Sequence, residues 1–294
     1  MPTRHVGPRP WVRAERERLA ALRFDRIGIA PLGATIGAEI GGVDLGHLDD
    51  ATFAEIERAF HAFKVIFFRD QEITTEQHLA FAGRFGELEE HPFLRPKAGY
   101  RKIVEFAKDE RVIGVENVWH HDVTWRVQPS LGSVLRAVDV PGVGGDTLFA
   151  DMCAAYDGLN DGVKRRIDGA VAVHDFSRIF GLAMSPDRLA EQQQKFPPAR
   201  HPVVRTHPRT ERRCLYVNAA FTRHIEGLPE DESRALLENL YREADVPEYQ
   251  CRFRWQKNSI AFWDNRAVQH YAASDYDPQR RVMERVTIIG DEPR

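Results

Sequence analysis

Ile260-Ala-Phe-Trp-Asp-Asn-Arg266, then Ala267-Val-Gln-His-Tyr271, then Arg281-Val-Met-Glu-Arg285 after a polar break, form the stretch that decides how the chain is read. An apolar run of strand length turns at Asp264-Asn265, and β-branched and aromatic residues resume beyond it. Short runs of this kind, bounded by turn residues, read as strands. Similar runs cover Val65–Phe68, Ile103–Phe106, Val118–Trp125, Gly132–Val138, Ala170–Val173, Pro202–Thr206, Leu215–Val217, Gln250–Trp255, Ser259–Trp263 and Val282–Ile289. Pro141-Gly-Val-Gly-Gly145 and Pro208-Arg-Thr210 are among the turn signals between them. A chain with this pattern is expected to be mainly β with flanking helices, folded as an antiparallel sandwich or jelly roll.

Three helices are predicted around the strands. Asp50–Phe63 places Phe53, Ile56, Phe60 and Phe63 on one face. Thr74 and Gln77 form a capping box for a second helix ending near Gly86. Glu230–Glu243 turns Leu236, Leu237 and Leu240 inward. Strands and helices do not alternate, so a doubly wound α/β fold fits less well.

Residues 27–294 read as one domain. The first 26 residues differ, with seven arginines against three acids. They are expected to be a basic, partly disordered extension holding one helix near residues 11–23. The stretches 91–117 and 177–200 are expected to be long loops able to act as lids.

Lysine and arginine total 41 against 44 acidic residues, a net charge of −3. That balance speaks against a nucleic-acid partner. No apolar run approaches the roughly 18 residues that would span a bilayer. Cys153, Cys214 and Cys251 show no disulfide or zinc-ribbon spacing, and three reduced thiols in a cytoplasmic protein are expected.

The candidate chemistry starts at His120-His-Asp122. On a strand His120 and Asp122 point the same way and His121 points to the other side. His-x-Asp also occurs at His47-Leu-Asp49, but there it precedes a helix and reads as a cap. A third ligand type, His270, lies 148 residues beyond Asp122. Arg281 and Arg285 then share a strand face, their stems roughly 13 Å apart at about 3.3 Å per residue. Inward arginines need anionic partners, since unpaired buried charge is costly. Two histidines and a carboxylate on one side of a metal suit iron(II) with dioxygen, leaving room for a 2-oxo acid whose far carboxylate needs a fixed arginine. Zinc in a hydrolase would also use the triad, but would give Arg281 and Thr147 no role.

These segments resemble the taurine dioxygenase family of iron(II)- and 2-oxoglutarate-dependent oxygenases. The likeness is carried by Trp119-His-His-Asp-Val-Thr124, Gly144-Gly-Asp-Thr-Leu148, His201-Pro-Val-Val-Arg-Thr-His-Pro208, Trp263-Asp-Asn-Arg266, Gln269-His-Tyr271 and Gln279-Arg-Arg281. It implies a double-stranded β-helix, with iron(II) held by His120, Asp122 and His270. It implies 2-oxoglutarate held by Thr147 and Arg281, with dioxygen as the other co-substrate. His91, Val123, Phe180, Phe221 and Arg285 fall at substrate-binding positions, with Arg285 and His91 on an anionic head. No catalytic residue is implied beyond the metal site. The implied reaction hydroxylates a small anionic substrate and releases succinate and carbon dioxide. A homo-oligomer, dimer or tetramer, is a further expectation from the resemblance.

Departures from the family pattern shape the expected substrate. Leu94 replaces a tyrosine, Ile179 a serine and Glu284 a histidine, while Glu116 falls near an asparagine. The anion grip stays and the rest of the pocket loses polarity. A taurine-like alkylsulfonate is favoured, less polar or larger than taurine itself, with a sulfate ester or an organic carboxylate as alternatives.

Overall fold

The computed structural model describes residues 6–112, 114 and 116–294. Its largest element is an eight-stranded sheet, in the order Gly28–Pro31, Ala38–Gly41, Val65–Phe68, Ile260–Asp264, Ser130–Asp139, Arg281–Ile289, Tyr100–Lys108 and Pro96–Lys97. Neighbours are antiparallel except Ala38–Gly41 against Val65–Phe68. Opposite lie two three-stranded sheets. One holds Gln250–Phe253, Thr147–Asp151 and Val268–Ala272, and the other Thr222–Ile225, Val171–His174 and Ala199–Pro202. Val204–Thr206 pairs with Arg213–Leu215 as a separate hairpin.

The two-residue period of a strand explains the layers. Val65, Phe67, Ala261, Trp263 and Met283 pack towards the small sheets, against Phe149, Val268 and Phe253. Their neighbours Ile66, Phe68, Ile260, Phe262 and Val286 face the other way, onto Ile56, Phe60, Phe63 and Phe81 of two covering helices. Those helices, Asp50–Phe63 and Thr75–Gly83, start where the sequence predicts. Asp49 caps the first, and Thr74 with Gln77 forms the capping box of the second. Phe60 and Phe262 stack at 3.9 Å across this layer.

Several expectations are corrected. Val118–Trp125 is not a strand. It is a single bridge, His120 to His270, followed by a turn. The turn includes Val123 at φ +60, a backbone region that a β-branched residue enters only under strain. The stretch 177–200 holds the helix Pro186–Lys195, capped by Ser185 with proline at its first turn. This helix buries no residue, so no apolar stripe announces it. The stretch 91–117 contains the long strand Tyr100–Lys108. The expected reduced thiols are also corrected, because Cys153 and Cys214 form a disulfide. Their separation of 61 residues hides a contact between the helix Met152–Asp157 and the strand Arg213–Leu215. Cys251 is free and buried.

Residues 1–5 of the expected extension lie outside the described residues. Pro10–Ala20 is a helix that buries Leu19 and Glu15. Glu15 reaches Lys64 at 2.8 Å and Arg212 at 2.6 Å, so this helix is tied to the domain by charge as well as by packing. No helix among the described residues is long and apolar enough to cross a membrane.

Candidate metal centre and active site

His120 and His270 exchange two backbone hydrogen bonds, at 3.1 and 2.9 Å, and this pairing sets their side chains side by side. The rings lie 4.1 Å apart. The turn after His120 then delivers Asp122 to the same point. Its Oδ1 is 3.8 Å from His120 Nε2 and 3.9 Å from His270 Nε2. The sequence and the structure gather the same three residues by different routes, since a turn rather than strand alternation aims Asp122. The donor atoms of the three residues all lie within 4.8 Å of one another, a spacing that could hold a metal ion.

Neighbouring groups aim these donors. His120 Nδ1 donates to the Val118 carbonyl at 2.8 Å, which leaves the Nε2 lone pair facing Asp122 and His270. Asp122 Oδ2 accepts from the Ser133 hydroxyl at 2.8 Å. The Asp122 backbone N–H donates to Asn265 Oδ1 at 3.1 Å, and Trp263 Nε1 donates to the same oxygen. Asn265 Nδ2 also donates to Ser130 Oγ at 3.0 Å. Sequence reading assigns Ser133 and Asn265 no role, although Asn265 stands inside the quoted Trp263–Arg266 motif.

Burial alone would raise the Asp122 carboxyl, yet the Arg285 guanidinium, with the Ser133 hydroxyl donating to it, holds it well below the usual carboxylate range. Burial, helped by the neighbouring His120, pushes His270 well below its ordinary value. Asp122 is therefore held as the carboxylate and His270 as the neutral imidazole, the protonation states in which these groups ligate metals.

Two cavities that share Phe106, Glu116, His120 and Arg285 in their linings flank the donors. One, with about 460 Å³ of empty space, is lined by Thr147, Arg281, Trp263, Leu135 and Met283 beside His120 and His270. Arg281 is 6% exposed, and its Nε and Nη2 have no partner among the described residues. A buried guanidinium in that state fits a carboxylate. Trp255 Nε1 donates to Thr147 Oγ1 at 3.0 Å and fixes that hydroxyl.

The other cavity, with about 530 Å³ of empty space, brings together His91, Val123, Phe180, Phe221 and Arg285 beside His120 and Asp122. Leu94, Ile179, Val118 and Phe106 complete an apolar wall. His91 Nδ1 accepts from the backbone N–H groups of Phe93 and Leu94, at 3.2 and 3.1 Å. Burial, with Arg285 nearby, pushes His91 down to about 3. Its ring is neutral at physiological pH, and its proton sits on Nε2. Glu284 points away from Arg285 and pairs with Lys97 at 2.6 Å. Glu116 lines both cavities and pairs with Lys108 at 2.8 Å.

The taurine catabolism dioxygenase TauD, TfdA family matches residues 28–287. An alpha-ketoglutarate-dependent sulfate ester dioxygenase of Pseudomonas putida is 35% identical over 284 residues, covering 93% of this chain and 92% of that one. The (S)-phenoxypropionate/alpha-ketoglutarate-dioxygenase of Sphingobium herbicidovorans is also 35% identical, covering 90% and 95%. A crystal structure of a taurine dioxygenase from Burkholderia xenovorans superposes with a TM-score of 0.79 at 37% identity, covering 92% and 93%. With its jelly-roll sheets and a match over nearly its whole length, the chain belongs to the taurine catabolism dioxygenase TauD, TfdA family and is a 2-oxoglutarate-dependent dioxygenase.

Proposed function

We propose that His120, Asp122 and His270 hold iron(II), that Arg281 and Thr147 hold the far carboxylate of 2-oxoglutarate, and that Arg285 and His91 grip the anionic head of a small organic substrate. The observation that carries this reading is the pair of buried arginines four residues apart on one strand. Each is 6% exposed; Arg281 lines one cavity and Arg285 lines both, beside the same His–Asp–His group. Two organic anions with separate grips are what a 2-oxoglutarate-dependent oxidation of an anionic substrate requires. A hydrolase would need only one.

The donor set fits iron(II), being two imidazoles and one carboxylate beside open cavity space. Iron(II), when bound, supplies the activation of dioxygen that couples 2-oxoglutarate decarboxylation to substrate oxidation. The protein's own residues supply position. Arg281 stays charged and offers a two-pronged grip. Arg285 contributes charge and His91 contributes an Nε2–H donor without charge. Val123, Phe180 and Phe221 exclude water from the substrate body and fix which carbon faces the donors.

The substrate follows from the wall. The relatives named for sulfate esters and phenoxypropionate act on anions with apolar bodies, and here Leu94 and Ile179 line the cleft. We assign an alkyl or aryl sulfonate or sulfate ester bulkier than taurine, with an aryloxy carboxylate as the second reading. The test is succinate release across taurine, hexyl sulfate, hexanesulfonate and phenoxyacetate. Hexyl sulfate or hexanesulfonate is expected to trigger release well above taurine. Release with taurine alone would remove the apolar-body assignment. Release that did not depend on 2-oxoglutarate would remove the whole reading.

A further inference from the structure

Arg285 is shared between two partners. Its Nη1 donates to Asp122 Oδ1 at 2.9 Å. Oδ1 is the oxygen turned towards both imidazoles, at 3.8 and 3.9 Å. The opposite oxygen, Oδ2, is held separately, by Ser133 at 2.8 Å and Asn265 at 3.5 Å. The rest of the guanidinium borders the apolar cleft beside His91. Its Nε has no partner among the described residues, and its Cζ lies 5.1 Å from the Phe106 ring centre. One cation thus touches the proposed metal-facing oxygen and the wall where the substrate anion is proposed to sit.

These two contacts oppose each other. A guanidinium hydrogen-bonded to a carboxylate oxygen stabilises its negative charge and makes that oxygen a weaker donor to another cation. An anion entering the cleft competes for the same guanidinium and offers it a fork-like pair of acceptors. Ser133 and Asn265 keep Asp122 from following. His91 adds a donor but no charge, so it cannot stand in for the cation. We propose that Arg285 couples the two sites: when it turns to the substrate anion it releases Asp122 Oδ1, and substrate and metal each tighten the binding of the other. This inference rests on the active-site reading above. Linkage requires the two effects to be the same factor.

Cobalt(II) serves as the metal probe and hexyl sulfate as the anion, on the full chain with saturating 2-oxoglutarate at fixed ionic strength. Cobalt binding is read from its visible absorption and hexyl sulfate binding by calorimetry. Cobalt is expected to bind about fivefold or more tightly when hexyl sulfate is present. Hexyl sulfate should tighten by the same factor once cobalt is bound. Arg285→Met keeps the length of the stem and removes the charge. It is expected to bind cobalt at least as tightly as the parent and to lose the response to hexyl sulfate. If the parent binds both ligands independently, the coupling is overturned while the active-site reading stands. Weaker cobalt binding by a folded Arg285→Met also overturns it, because Arg285 would then support Asp122 rather than compete for it. Cobalt binding that survives His270→Ala unchanged, or a cleft that takes no hexyl sulfate in either form, overturns the coupling and the site reading together. The parent measurements need no variant and decide the matter if Arg285→Met fails to fold.

Discussion

Two clusters of two histidines and one aspartate lie among the described residues, and their neighbours make them opposites. His120, Asp122 and His270 form one, and His61, His207 and Asp264 the other, each with donor atoms within 4.8 Å. At Asp264 the charge is already met. Arg266 grips Oδ1 through Nε and Oδ2 through Nη2, each at 2.7 Å, and His207 Nε2 donates to Oδ2 at 2.9 Å. His207 Nδ1 accepts from the backbone N–H groups of Arg209 and Thr210. At Asp122 a single arginine nitrogen reaches Oδ1, and two imidazole nitrogens stand 3.8 and 3.9 Å from that oxygen, beyond hydrogen-bond reach. Ligand identity and spacing do not distinguish the two clusters. What distinguishes them is how much of each carboxylate is already committed to a fixed cation.

The sharpest way to break this contrast is His270→Ala beside His207→Ala. The first is expected to abolish both stoichiometric metal binding and detectable succinate release. The second should keep one metal per chain and lose only about 1–3 kcal/mol of stability from unpaired buried partners, read from urea midpoints. A gain of metal at His61 and His207 would show that the contrast is misread.

Asp264→Ala comes next. It leaves Arg266 buried without its counter-charge, at about 3–5 kcal/mol. The urea midpoint should fall steeply, while whatever stays folded binds metal as before.

Asn265→Ala is expected to act on the open cluster from behind. It unties the backbone of Asp122 and should weaken metal binding about 10- to 100-fold. An unchanged metal affinity would mean that Ser133 alone holds the carboxylate.

The smallest effect extends the rule to a third, closed cluster. Burial opposes ionisation of Glu15, yet Arg18, Lys64 and Arg212 hold it well below its ordinary 4.5. A depressed carboxylate contributes stability above its unfolded value and loses it as pH falls towards the folded one. Glu15→Gln should therefore cost stability near pH 7, with the gap to the parent narrowing steadily as pH falls below 4.5. A gap that stayed constant with pH would assign the loss to packing.

Much of this was legible in the sequence for plain reasons. Val65–Phe68 and Ile260–Trp263 alternate between two cores, so their apolar runs announce buried strands. His120, Asp122, His270, Arg281 and Arg285, polar groups that the sequence sets among apolar ones, are brought to the same pair of cavities. What stayed hidden depends on backbone conformation or on distance along the chain. Nothing in Val123 signals a left-handed turn, so residues 118–125 read as a strand. The helix Pro186–Lys195 carries one leucine, Leu189, and so has no apolar periodicity to announce it. Asn265 and Ser133 act through hydrogen bonds that only the fold creates. The bond between Cys153 and Cys214 joins elements whose adjacency no local pattern encodes.

Val123 has one more consequence. Holding a β-branched residue at φ +60 stores roughly 1–3 kcal/mol of backbone strain beside the carboxylate that anchors the site. Glycine there would relax the loop and remove one wall of the adjoining cavity in the same step. Selection for heat resistance alone would thus drift towards a sturdier chain with a wider, less shaped hollow beside Asp122.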